Sequence, residues 1–324
     1  MENQNEEKNY MTDLTKIKET IRLNQNKAMV VVNSMMILTY YEIGTIINER
    51  KSWGNKYIQR LSEDLKEYGK GYSYRNLKYM RQFASVFSKD EIRQQVVAQI
   101  PWGSILHIMS HSKSKEEMLW YINETYNNSW SRSMLINQFE LKAYERNLIK
   151  PIVSPRIKES DNELVNKLYK DTYAFDFIDR NNIFKEAQLR DSMIDNIIKL
   201  LNEFGKGFSL VGKEYKLVTP GNKEYRIDLL MYHTKIHCYI VIELKIGEFK
   251  PEYIGQLQFY VNAVDDLEKD KLDNETIGLL LCKDADSYVT QTTIKSSNSL
   301  IGVSKYKFLD ELPEYLNKRL NNEE

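Results

Sequence analysis

The chain has 324 residues, enough for two domains of roughly 150 each, since a single core rarely grows beyond about 250–300 residues. At 42% hydrophobic and 28% charged it can bury a substantial core, which excludes wholesale disorder. Its 46 basic and 46 acidic side chains cancel, which argues against a uniformly basic coat for nucleic acid, yet the signs are segregated: residues 1–150 hold 22 basic against 17 acidic (+5), and residues 151–324 hold 24 against 29 (−5).

The acidic start Met1–Glu7 does not read as a signal peptide. Apolar positions recur at helical spacing over Ala28–Ile47 and predict a helix. The longest apolar stretch, Met29–Leu38, is broken by Asn33 and Ser34 and is too short to span a bilayer. After the punctuation Trp53-Gly54-Asn55, a second helix is predicted over about Lys56–Tyr68, with Ile58, Leu61 and Leu65 inward. A glycine-containing turn follows, and Ser73 is suited to cap a third helix ending near Phe87. Between Glu67 and Asp90 there is no acid, but Lys70, Arg75, Lys78, Arg81 and Lys89 are interleaved with Tyr68, Tyr72, Tyr74 and Tyr79. On the third helix Leu77, Met80, Ala84 and Phe87 form an inward stripe, leaving Arg75, Lys78 and Gln82 outside. Helix, turn and basic helix is the pattern of a helix-turn-helix, whose second helix enters a major groove; a merely solvated basic face has the same pattern.

Pro101-Trp102-Gly103 breaks the chain again, and helices fit 114–128 and 131–148. His107 and His111 lack the glutamate of a zinc-protease motif and read as surface or capping groups. Residues 1–150 are therefore expected to form an all-α domain, with a linker over 151–170 marked by Pro151 and Pro155.

Past Phe175 the pattern changes. One helix fits Phe184–Phe204, followed by strand-like runs at Gly207–Val211, Tyr215–Val218, Tyr225–Tyr232, His237–Leu244 and Thr276–Cys282, with a helix over about Pro251–Val264 before the last. A helix, a series of strands, a second helix and a further strand imply a mixed sheet flanked by helices in a domain spanning 171–324, and the chain as a whole is an α+β multidomain protein. Cys238 and Cys282 lie in the apolar runs and read as buried free thiols of a reducing cytoplasm.

Asp228 interrupts an otherwise apolar strand, and Glu243-Leu244-Lys245 ends the next one. Alternation puts Glu243 and Lys245 on one face, with Ile240, Ile242 and Leu244 on the other. Buried charges persist when paired or bound to metal. Two carboxylates offer hard oxygen ligands to Mg²⁺, which polarises a phosphate and lowers the pKa of a water, while a lysine beside them stabilises developing negative charge. An internal salt bridge of Lys245 would explain the same residues, and acid-x-Lys also occurs at Asp64, Glu140, Glu214 and Glu248. On the helix before the strands, Glu186 shares the face of Met193, about 20° away on the wheel, whereas Asp191 and Asp195 point outward. Gln256 and Tyr260, at i and i+4, share a face of the later helix, suited to holding the lysine, a water or a backbone phosphate.

Asp228, Glu243-Leu244-Lys245, Glu186 and Gln256-Leu257-Gln258-Phe259-Tyr260 together resemble the PD-(D/E)xK nuclease superfamily. The whole chain resembles its YhcG-like family through Gly205-Lys206-Gly207-Phe208, Phe249-Lys250-Pro251-Glu252-Tyr253 and Thr276–Lys283, and earlier through Trp53-Gly54, Pro101-Trp102-Gly103 and Trp130-Ser131-Arg132. The resemblance implies a helical N-terminal domain joined to a restriction-endonuclease-like α/β core. It implies DNA as substrate and Mg²⁺ as cofactor, with Mn²⁺ as a substitute. Carried over by position, Asp228 and Glu243 become metal ligands, Lys245 the catalytic lysine, and Glu186 and Gln256 supporting residues. Ile227 stands where the superfamily name has proline. Substrate contacts are expected from Lys70, Arg75, Lys78, Arg81 and Tyr260, and a homodimer is compatible with double-strand cutting. The alternative is a DNA- or partner-binding module of a multi-protein system that keeps the nuclease fold with little or no turnover.

Overall fold

A computed structural model describes residues 2–50, 54–94, 96–158, 168–178 and 185–320, so Trp53, residues 159–167 of the predicted linker and Phe184 lie outside the described residues. The chain divides into two compact units, Met1–Ile136 and Asn137–Glu324.

Among the described residues the first unit is wholly helical. Helix α1 (Glu2–Glu49) runs well beyond the predicted Ala28–Ile47. It buries Ile37, Tyr40 and Ile47 against Ile58, Leu77 and Met80, and Gly44 lets the helices meet: a Cβ there would lie 2.0 Å from the Met80 carbonyl oxygen. The polar pair that interrupts its apolar run is anchored, because Asn33 Nδ2 donates to the Ala98 and Ile100 carbonyls and Ser34 Oγ to that of Ala98, each at 3.0 Å. By length and composition Asp13–Glu49, which contains the Met29–Leu38 run, is long and apolar enough to cross a membrane. A helix packed in the core of a soluble protein passes the same test.

Helices α2 (Gly54–Asp64) and α3 (Tyr74–Val86) are separated by two short 3₁₀ turns, Lys66–Tyr68 and Lys70–Tyr72. Ser73 caps α3 as expected, accepting from the Asn76 N–H at 3.4 Å, and Leu77, Met80 and Phe83 are buried while Arg75, Lys78 and Gln82 face outward. There follow α4 (Lys89–Gln94), α5 (Trp102–His111), α6 (Lys115–Asn127) and α7 (Arg132–Glu140). The predicted helix over 131–148 is two helices, because Lys142 adopts a left-handed φ of 49° ahead of α8 (Ala143–Asn147).

The second unit contains α8, β1 (Ile152–Val153), α9 (Pro155–Lys158), β2 (Thr172–Phe175), α10 (Glu186–Asp195), α11 (Ile197–Phe204), β3 (Phe208–Val218), β4 (Glu224–His233) and β5 (Cys238–Glu248). It continues with α12 (Glu252–Leu267), β6 (Ile277–Asp284), α13 (Ser287–Ile294), β7 (Leu300–Phe308) and α14 (Leu312–Leu320). The mixed sheet has the order β1-β7-β6-β5-β4-β3, with β2 also pairing β7. Strands β3, β4 and β5 form an antiparallel meander, and β5, β6 and β7 run parallel.

Leu189 and Met193 of α10 and Leu200 and Phe204 of α11 cover one face through Leu229, Ile240 and Ile242. Leu257, Val261 and Val264 of α12 cover the other through Leu230, Val241 and Leu280. Burial of both faces explains the nearly unbroken apolar runs of β5 and β6. Two predicted strands, Gly207–Val211 and Tyr215–Val218, are one strand with a bulge between Leu210 and Gly212, and the predicted helix ending at Phe204 is broken at Asn196. The chain before β2 belongs to this unit through a buried pair: the Arg146 guanidinium donates to the Glu203 carboxylate, and Arg146 Nε donates to the Leu141 carbonyl at 2.9 Å.

Candidate active site

The site forms where β4 and β5 part. Their ladder ends at Leu229 opposite Ile242, and beyond it Asp228 Oδ2 accepts the Leu244 N–H at 3.0 Å. A carboxylate thus takes the place of a strand carbonyl. This satisfies a backbone donor that a simple end of pairing would strand. It also fixes Asp228 beside the strand that bears Glu243 and Lys245.

Glu243 and Lys245 are 2% and 8% exposed, with Lys245 Nζ 3.6 Å from Glu243 Oε2. Glu186, the first residue of α10, reaches the same ammonium at 3.5 Å with a side chain that is 40% exposed. Lys245 Nζ also stands 5.3 Å from the centroid of the Tyr253 ring on α12. The four predicted residues Asp228, Glu243, Lys245 and Glu186 therefore come together. Gln256 bonds Tyr260 (Nε2 to the phenol oxygen, 3.3 Å), and Tyr260 is buried on the α12 face of the sheet.

Burial, reinforced by the Asp228 charge, pushes Glu243 up to about 8, with Lys245 pulling the other way. Glu243 Oε1 is buried and has no hydrogen-bond partner. Burial by itself would lower the Lys245 pKa, but Glu243, Glu186 and Asp228 outweigh it and hold the ammonium above the ordinary lysine value. Burial, offset by the Gln256 bond and helped by the Glu243 and Asp228 charges, raises the Tyr260 phenol. Lys245 thus stands among three carboxyl groups, one of which has an oxygen without a partner.

Sequence reasoning missed Arg190. Its guanidinium is nearly buried on α10 and bridges Asp228 Oδ1 (2.7 Å) and Glu214 Oε1 (3.0 Å). Glu214, whose left-handed φ of 44° marks a local distortion of β3, supplies the outer end of this bridge. Among the described residues no group of three or more His, Cys, Asp or Glu side chains converges as a metal site, so the candidate ligand pair is Asp228 and Glu243. Two carboxylates suffice for Mg²⁺, which keeps waters and takes up substrate phosphate oxygens, and the open Glu243 oxygen fits a hard cation. The basic residues named for substrate contact lie in the other unit: Lys70, Arg75 and Lys78 are exposed, and Arg81 is half-buried.

A family model described as "YhcG PDDEXK nuclease domain" matches residues 166–321, and one described as "DUF1016 N-terminal domain" matches residues 16–146. The Escherichia coli (strain K12) protein named "Putative nuclease YhcG" is 26% identical over 332 residues, covering 90% of this chain and 87% of its own length. Among solved structures, the "crystal structure of a repair endonuclease from Pyrococcus abyssi" is matched with a TM-score of 0.26 at 12% identity, over 39% of this chain and 47% of that one. The "Structure of EndoMS in apo form" is matched with the same TM-score at 15% identity, over 39% of this chain and 46% of the other. The chain thus spans about half the length of these two solved chains.

Proposed function

The chain belongs to the YhcG-like PD-(D/E)xK nuclease family, and from that premise we propose that it is a metal-dependent DNA endonuclease hydrolysing phosphodiester bonds at Asp228, Glu243 and Lys245. The observation that supports this most is the buried, unpartnered Glu243 Oε1 beside Asp228 and Lys245. Asp228 and Glu243 are the groups to hold Mg²⁺, or Mn²⁺ in its place. The chemistry a cation held by these two carboxylates would supply is polarisation of the scissile phosphate and a lowered pKa for an attacking water. Lys245 donates from its ammonium to negative charge developing on the phosphate. Glu186 and Tyr253 flank that ammonium and limit where it can point, and Gln256 fixes the Tyr260 phenol.

The test is incubation with supercoiled, linear, single-stranded and branched DNA in Mg²⁺, Mn²⁺ or EDTA, alongside Asp228→Ala and Lys245→Ala. Cutting by wild type with either cation, lost in EDTA and in both variants, is expected. Equal cutting by wild type and variants would remove the site assignment. A second reading, a binding module without turnover, is favoured by Arg190, whose guanidinium already takes one Asp228 oxygen. On that reading wild type binds DNA but cuts no substrate, and Arg190→Met does not restore cleavage.

A cytoplasmic location belongs to this reading, supported by Cys238 and Cys282, buried free thiols that burial pushes up to about 12. The homodimer is assigned to α1. Leu14, Ile17, Ile21, Asn24, Ala28, Val31 and Met35 recur at alternating spacings of three and four, the seam of a coiled coil. Ile17, Ile21, Val31 and Met35 are exposed, so the seam fits a second copy of the chain, with Asp13 and Lys18 as flanking positions of opposite charge. Light scattering after size exclusion should give a dimer that Ile21→Asp converts to monomer. A monomeric wild type, or vesicle binding without a dimer, would rule this out.

A further inference from the structure

The N-terminal unit holds a cavity of about 440 Å³ that the nuclease site does not use. Lys70 enters it from the 3₁₀ turn before α3, Arg75 and Tyr79 from α3, His107 and His111 from α5, and Arg132 from the start of α7. No carboxylate lines it. Cations that share a wall without an acid repel one another, and an anion entering between them removes that cost.

The cavity is built rather than incidental. Arg75 donates from Nε and Nη2 to the Tyr79 phenol oxygen at 3.3 and 3.2 Å, which holds the guanidinium in place. At the base of α3, Asn76 receives the Trp102 indole N–H at 2.8 Å and donates to the Gly71 carbonyl, tying α3 to α5 and to the preceding turn. The His107 and His111 rings stack at 4.0 Å, and His111 Nδ1 donates to the His107 carbonyl at 2.9 Å. Burial, then the charges of His111 and Arg132, depress the His107 pKa.

We infer that this cavity binds a phosphate group carried by a nucleic-acid strand, gripped by Arg75 and Arg132 with Lys70 at the rim. Arginine suits this task because its planar fork meets phosphate oxygens through two parallel hydrogen bonds. The volume lies within the range of pockets that enclose small ligands, so the phosphate can enter with part of its sugar attached. The bound phosphate is either an internal phosphodiester or a 5′-terminal phosphomonoester, which share the oxyanion the cavity reads. The inference rests on nucleic acid being the substrate.

The test measures binding in EDTA, so that failure of the catalytic reading cannot affect it. The probes are a circular DNA and one duplex, labelled at a 3′ end, carrying either a 5′-phosphate or a 5′-hydroxyl. Arg75→Gln/Arg132→Gln in the full chain is expected to weaken binding at least tenfold and to lower the slope of log affinity against log salt. Inorganic phosphate should compete for DNA with wild type but not with the variant. Loss confined to the 5′-phosphorylated duplex identifies a terminal phosphate, whereas equal loss on all three DNAs identifies an internal one. Both results support the site. Wild-type affinity in the double variant, with an unchanged thermal melt, overturns it. If that variant melts early, the single variant Arg75→Gln and the phosphate competition on wild type decide instead, and no effect in either overturns the inference.

Discussion

Ionisation of the buried Glu243 costs the fold stability. Its pKa is near 8 in the folded chain and near the ordinary carboxylate value once unfolded. A group with a raised folded pKa contributes stability that is complete below the unfolded value and is lost as pH rises through the folded one. Cation-free wild type should therefore lose melting temperature relative to Glu243→Gln between about pH 5 and pH 8. Melting curves of the two proteins across that window check it, and parallel profiles would mean the burial of Glu243 is relieved some other way. Asp228, Glu243 and Lys245 were legible in the sequence because a charge inside an apolar strand demands a partner. Arg190 was not, since an arginine on an amphipathic helix reads as solvated. The packing of α10 on the sheet, through Leu189 and Met193, brings it within 2.7 Å of Asp228.

At the scale of elements, two contacts carry predictions. Gly44 and Met80 set the approach of α1 to α3, and a methyl group at Gly44 would collide with backbone and with the Ala84 Cβ at 2.9 Å. Gly44→Ala should therefore destabilise the helical unit despite alanine's better helix propensity, by about 1–3 kcal/mol if the helices can shift apart. Chemical denaturation with a helical signal measures it. The Arg146–Glu203 pair ties α8 to α11 in a buried setting. Arg146→Ala strands a buried carboxylate and should cost about 3–5 kcal/mol, whereas Arg146→Met/Glu203→Met should recover much of that. A double variant no more stable than the single one would show that the charges themselves are favourable. The meander and α12 were readable from apolar runs and turn residues. Strand β7 was hidden because Ser304, Lys305 and Lys307 interrupt its apolar pattern, although Lys305 is only 1% exposed. The break at Asn196 was hidden because Leu200 continues the apolar spacing across it.

For the whole molecule, the cancelled net charge divides into a basic helical half and an acidic half that contains the carboxylate site. DNA binding by the full chain should therefore weaken steeply with salt. Lys78→Ala/Arg81→Ala should flatten the log–log slope by up to about 2, since each phosphate neutralised contributes about 0.9. Titrations at several salt concentrations check this, and an unchanged slope would place the contacts elsewhere. The division in charge was legible from composition. The cavity lined by Lys70, Arg75 and Arg132 was not, because its walls come from three separated stretches of chain. The closing edge of the sheet has a consequence in time. Ile152 pairs with Val303, and Thr172 with Lys305, so the outermost strands leave the ribosome long before the strand they seal. At about 5–20 residues per second that wait is on the order of ten seconds or more. During it β1 and β2 have no native partner, and exposed strand edges recruit wrong ones. Strand β1 is two residues long and β2 four, too little backbone for a stray partner to hold while β7 is still being made.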